Sequence, residues 1–140
     1  MNLSAKTEYA CLAMLQLAVD YDSGEPVHIR RIADDNGIPA RFLVQILLQL
    51  KGAGLVASTR GAAGGYRLAR APREISLADV IDVIEGDDRP ESNIAKPSPL
   101  ARTLLDFCCE LSQWQRERLD ATSLADLAEE AAHREPMWYI

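Results

Sequence analysis

The chain has 140 residues, 48% of them hydrophobic, which suits one domain, or one domain with an extension, built around a real core. No apolar run reaches the ~18 residues of a membrane-spanning helix, Lys6 and Glu8 interrupt any leader-like start, and Cys11, Cys108 and Cys109 lack the spacing of a secreted disulfide framework, so a cytoplasmic protein without membrane contact is expected. The net charge of −6 is uneven, with nine Lys/Arg against six Asp/Glu in residues 1–73, but six against fifteen in residues 74–140.

Ser4 caps a first helix that runs to about Tyr21. Tyr9, Ala10, Ala13, Met14, Leu17 and Ala18 form one apolar stripe, and Leu12, Leu15 and Val19 form another, so burial on two sides is expected. Residues 22–26 make a turn. A short helix follows from about Ile29 to Asn36 and stops at Gly37, and Pro39 opens a third helix that reaches about Ala53. Two helices joined across a glycine form the helix-turn-helix pattern. On the third helix the periodicity turns Phe42, Leu43, Ile46, Leu47 and Leu50 into a core and Arg41, Val44, Gln45 and Leu48 outward, with no acidic residue on the outer face.

Leu55–Thr59 and Gly65–Ala69 read as strands joined by a glycine-rich loop, a wing spanning about residues 55–70. Tyr66 and Arg67 follow the glycines where a phosphate-cradling NTPase loop needs a Lys-Ser/Thr pair and a helix, which excludes that class. Residues 28–73 hold eight basic groups against two acidic ones, and phosphate attraction depends on such local clustering rather than on the total charge. Ser76 caps a helix that ends at Gly86, and residues 87–97 form a polar loop. Ser98 and Pro99 then open a long helix on which Leu100, Leu104, Phe107, Leu111 and Trp114 recur at spacings of 4, 3, 4 and 3, the narrow seam of a helix pair. A last helix over about 123–132 precedes the tail "EPMWYI", which is expected to dock on its own dimer.

Three segments, "LSAKTEYACLAMLQLA", "IRRIADDNGIPARFLVQILLQLKGAGLVASTRGAAGGYRLAR" and "ISLADVIDVIEG", resemble the Rrf2 family of bacterial transcription regulators over essentially the full length. The resemblance implies a mainly α fold with a small β-hairpin wing: a winged helix-turn-helix domain over residues 1–86, a loop over 87–97, and a dimerisation helix with tail over 98–140. It implies a homodimer on palindromic double-stranded DNA. Arg41, Val44 and Gln45 are expected on base edges, with Lys6, Thr7, Arg30, Arg31, Lys51, Tyr66 and Arg67 on the backbone and Arg60 in or beside the minor groove. Similar proteins often carry an acidic residue in the place of Val44, so a different operator is expected.

Many proteins similar to this one hold an iron–sulfur cluster through three cysteines in the loop before the long helix. Here that loop contains no cysteine, so no such cluster is expected, since thiolate sulfur is the normal ligand. The alternative is a cluster or thiol sensor using Glu8, Cys11, Cys108 or Cys109 across a dimer. His28 and His133 lack ligand-spaced cysteines. A small-molecule effector between the wing domain and the long helix is the other route to regulation. A winged-helix module that binds protein is a second alternative. An enzyme is not expected, because no nucleophile–histidine–acid set is visible.

Overall fold

In a computed structural model of the chain, residues 2–86 and 89–134 are described. Helix α1 (Ala5–Val19) starts where the Ser4 side chain accepts the Thr7 amide at 3.2 Å. Ala10, Ala13, Met14 and Leu17 bury its inner face completely or nearly so. The expected second buried face is only partial: Leu12 and Leu15 are half-buried and Val19 is exposed. In the last turn of α1 the packed elements cover Leu17 and leave Val19 on the open side.

Helix α2 (Ile29–Asn36) is capped by His28, whose Nδ1 accepts the Arg30 amide at 3.1 Å. The histidine thus does the work that serine or aspartate usually does. Gly37 ends α2 in the left-handed region at φ 66°. The next residue, Ile38, is buried and donates its amide to Ala33. Helix α3 (Ala40–Gly52) then crosses α2, burying Leu43, Ile46, Leu47 and Leu50.

Strands β1 (Val56–Thr59) and β2 (Gly65–Leu68) pair antiparallel from Val56↔Leu68 to Thr59↔Gly65. A second pairing ties this wing to the start of the helix-turn-helix. The Val27 amide donates to the Tyr66 carbonyl at 2.7 Å, and the Tyr66 amide returns to the Val27 carbonyl at 2.9 Å. Glycine is needed beside that bridge, since a Cβ on Gly65 would collide with the Val27 carbonyl.

Helix α4 (Leu77–Glu85) and helix α6 (Leu124–Ala132) begin with matching capping boxes, Ser76 with Asp79 and Ser123 with Asp126. Their first turns are joined by Leu77 donating to Thr122 and Leu124 to Ile75, both at 2.9 Å. Between them runs α5 (Pro99–Asp120), 22 residues and about 33 Å long at 1.5 Å per residue. Arg116 fastens α5 to α4 through Asp82 at 2.6 Å. One core unites the elements other than α5: Met14, Ile32, Leu43, Leu47, Ile75 and Val80 pack with Leu124 from the last helix. The tail, residues 135–140, lies outside the described residues.

Candidate nucleic-acid interface

The outward face of α3 is a row of accessible side chains without an acid: Arg41, Val44, Gln45, Leu48 and Lys51 are all exposed. Val44 and Leu48, one turn apart, are 45% and 57% exposed. Lys51 sits in the last turn, where the helix dipole favours a cation. Phe42 corrects the expectation. Periodicity assigns it to the core, but it is 44% exposed, because it lies at the edge of the apolar arc whose centre is filled by Leu43, Ile46, Leu47 and Leu50. Its ring rests instead on Tyr9 of α1, with centroids 6.3 Å apart and planes at 28°. The Arg41 guanidinium is the other partner of this ring, 4.8 Å from the Phe42 centroid.

The wing sets Arg60 at its turn, exposed, with Gly61 at φ 100° and a Gly64-to-Gly61 hydrogen bond closing the tip. Tyr66 is half-buried and faces inward with Leu68, while Arg67 is exposed on the opposite face of β2. Arg67 lines a cavity of about 540 Å³ with Leu17, Asp20, Tyr21 and Glu25. A second cavity of about 460 Å³, where the end of α5 meets the starts of α4 and α6, is lined by Asp79, Asp120 and Asp126. The Asp79 and Asp126 carboxylates there are already engaged as capping groups.

Two backbone-contact expectations change. Thr7 is fully buried. Its amide serves Ser4 and its hydroxyl donates to Glu85 Oε1 at 2.6 Å, so it has no group left to offer a phosphate. The sequence hid this, since Glu85 lies 78 positions away. Arg31 is exposed but pairs with Asp20 at 3.2 Å and Asp35 at 3.5 Å. Lys6 and Arg30 are exposed and make no ion pair among the described residues.

Helix α5 has no buried residue in the single chain. Leu100, Leu104, Phe107, Leu111 and Trp114 are 84%, 65%, 55%, 39% and 58% exposed. That is a continuous apolar seam, exposed along its length in the single chain.

A profile of the family described as "Rrf2: Iron-dependent Transcriptional regulator" matches residues 3–130. The chain belongs to the Rrf2 family. It is 36% identical over 128 residues to the HTH-type transcriptional regulator CymR of Bacillus subtilis, covering 91% of this chain and 90% of that protein. It is 30% identical over 136 residues to Protein rrf2 of Nitratidesulfovibrio vulgaris, covering 94% and 90%. Among solved structures, CymR, the global cysteine regulator of B. subtilis, superposes with a TM-score of 0.82 at 34% identity, covering 93% of this chain and 98% of that one. IscR of T. potens gives 0.78 at 31%, covering 99% and 96%. The fold is therefore the winged helix-turn-helix, and the protein is a DNA-binding transcriptional regulator rather than an enzyme.

Rrf2 proteins are described as iron-dependent, which makes the donor set of this chain the relevant test. Among the described residues no group of three His, Cys, Asp or Glu side chains converges to hold a metal. Burial, reinforced by the negative Glu85 nearby, pushes the Cys11 thiol up to about 11. Glu8 is exposed, Cys108 is half-buried, and Cys109 is exposed near the Pro90 carbonyl. Within one chain these residues do not fit an iron–sulfur cluster.

Proposed function

We propose that this Rrf2 protein acts in the cytoplasm as a homodimer on two-fold-symmetric operator DNA and does so without a three-cysteine cluster. The observation that carries the reading is the outer face of α3, accessible along its length and free of acidic side chains. Gln45 has the geometry to pair an adenine through two hydrogen bonds, Arg41 a guanine, and Val44 to meet a thymine methyl. Lys6, Arg30, Lys51, Tyr66 and Arg67 hold phosphates, Arg31 adds to them once it leaves its acidic partners, and Arg60 enters the minor groove. The uncovered seam of α5 supports pairing with a second copy, and that pairing sets two recognition helices about one DNA turn, roughly 34 Å, apart. Regulation then falls to a small-molecule effector, to thiol chemistry, or to protein level.

Selection from a random duplex library, followed by binding measurements, tests this. The expected product is a palindrome. Gln45→Ala is expected to lose ~1–3 kcal/mol on that duplex and little on random DNA. Equal losses on both would remove Gln45 as a base reader. Sedimentation is expected to give a dimer that Leu111→Asp dissociates or renders insoluble. A monomeric wild type, or a brown anaerobic preparation containing iron and sulfide, overturns the corresponding part.

A further inference from the structure

We infer that Phe42, seated on Tyr9, is a positioning residue that presents the Arg41 guanidinium edge-on to one guanine of each half-site; this rests on the DNA-reading role of α3 proposed above. The starting point is an anomaly. A phenylalanine on the first turn of α3, beside Arg41, is 44% exposed, although large apolar groups gain by burial. Its two contacts account for its place. One is with Tyr9, which is half-buried against the main core, so the ring is anchored to α1. The other is with Arg41, whose guanidinium lies 4.8 Å from the ring centroid.

A guanidinium has a flat face and an edge carrying five N–H donors. A carboxylate partner would hold Arg41 by that edge and neutralise it, as Asp20 and Asp35 do for Arg31. An aromatic partner holds it by the face. Arg41 makes no hydrogen bond or ion pair among the described residues, so its whole donor edge stays available while its long side chain is kept from wandering. Bidentate pairing with guanine O6 and N7 needs that edge in one plane. The stack Tyr9–Phe42–Arg41 thus extends rigidity from the core to the base-reading atom.

The test uses the full-length protein and the duplex it selects from a random library, with each guanine replaced in turn by 7-deazaguanine, which lacks the N7 acceptor. Wild type is expected to lose affinity at one guanine per half-site. Phe42→Leu removes the aromatic face but keeps an apolar side chain. It is expected to weaken binding to the selected duplex about 2–5-fold and to shrink the 7-deazaguanine penalty. Affinity for random duplex and the salt dependence stay as in wild type. Phe42→Tyr restores both, and in an Arg41→Ala background Phe42→Leu has no further effect. A thermal midpoint matching wild type separates positioning from folding, and Phe42→Met takes the place of Phe42→Leu if the latter does not fold. An undiminished penalty in the Phe42 variant, an equal loss on random DNA, or a loss that persists without Arg41 each overturns the inference while leaving the operator reading intact. A library from which no sequence is enriched overturns both.

Discussion

Thr7 and Lys6 are neighbours at the start of α1, and replacing each has an opposite expected signature. Thr7 is fully buried, its hydroxyl donating to Glu85 at 2.6 Å and accepting from Ser4 at 2.9 Å. Thr7→Val keeps the outline of the side chain and deletes the hydroxyl. A hydrogen bond to a charged acceptor contributes ~1.5–3 kcal/mol, at the low end here because Glu85 is exposed and recovers a bond from water. Burying a methyl in place of the hydroxyl returns up to ~0.8 kcal/mol. The net loss expected in urea unfolding is about 1 kcal/mol, or about 2–4 °C in thermal midpoint. The slope of DNA affinity against salt is expected not to move, because no phosphate contact is lost. Lys6→Ala reverses the pattern, with the urea midpoint unchanged and the salt slope lower by about one per subunit. A Thr7→Val protein with native stability and a reduced salt slope would show that Thr7 reaches the backbone and that the burial argument is wrong.

Three further outcomes are expected. Replacing operator thymines by deoxyuridine removes single methyls; where Val44 or Leu48 covers one, affinity is expected to fall about 3–4-fold, as one buried methyl allows, and Val44→Ala or Leu48→Ala abolishes that difference in the same binding assay. Cys11 holds its proton more tightly folded than unfolded, with the thiol moved from 9.0 to about 11. Its contribution is therefore intact below pH 9 and is lost as pH rises towards 11, so unfolding measured across that window is expected to show wild type losing about 2–3 kcal/mol more than Cys11→Ala; parallel curves for the two proteins refute it. Gly65→Ala forces a Cβ against Val27 and is expected to cost about 1–3 kcal/mol and to weaken the contribution of Arg60 to DNA binding, checked by unfolding and by comparison with Arg60→Ala.

Local chemistry explains what is legible in the sequence. Ser4, Ser76, Ser98 and Ser123 cap helices where a hydroxyl precedes an apolar repeat, and Gly37 stops α2 where a left-handed residue is needed. The wing follows from glycines between two strand-like runs, and the α5 seam from its 4-3-4-3 spacing. Long-range pairing is hidden. Thr7 reads as a surface residue beside a lysine, and only the folded chain brings Glu85 to it from the end of α4. Phe42 obeys the helical period but lies at the edge of the apolar arc, where direction alone does not separate it from its fully buried neighbour Leu43. His28 acts as a cap through a ring nitrogen, a role that residue preferences do not advertise.

The bridge between Ser76 and Ser123 has a topological consequence. The chain from residue 77 to residue 122 starts and ends at the same pair of hydrogen bonds; α4 packs on the DNA-binding body through Val80 and the Thr7–Glu85 bond, and the stretch beyond Gly86 departs from it. That excursion is a closed detour, with its entrance and exit side by side. Lengthening such a detour costs only a fraction of a kcal/mol for each modest insertion, on the order of 0.6 kcal/mol per doubling for a flexible loop. Residues 89–97 at its bend, mostly exposed, can therefore be exchanged for a longer or chemically different segment while α1, α2, α3 and the wing keep their places. In this architecture that loop is a replaceable cartridge.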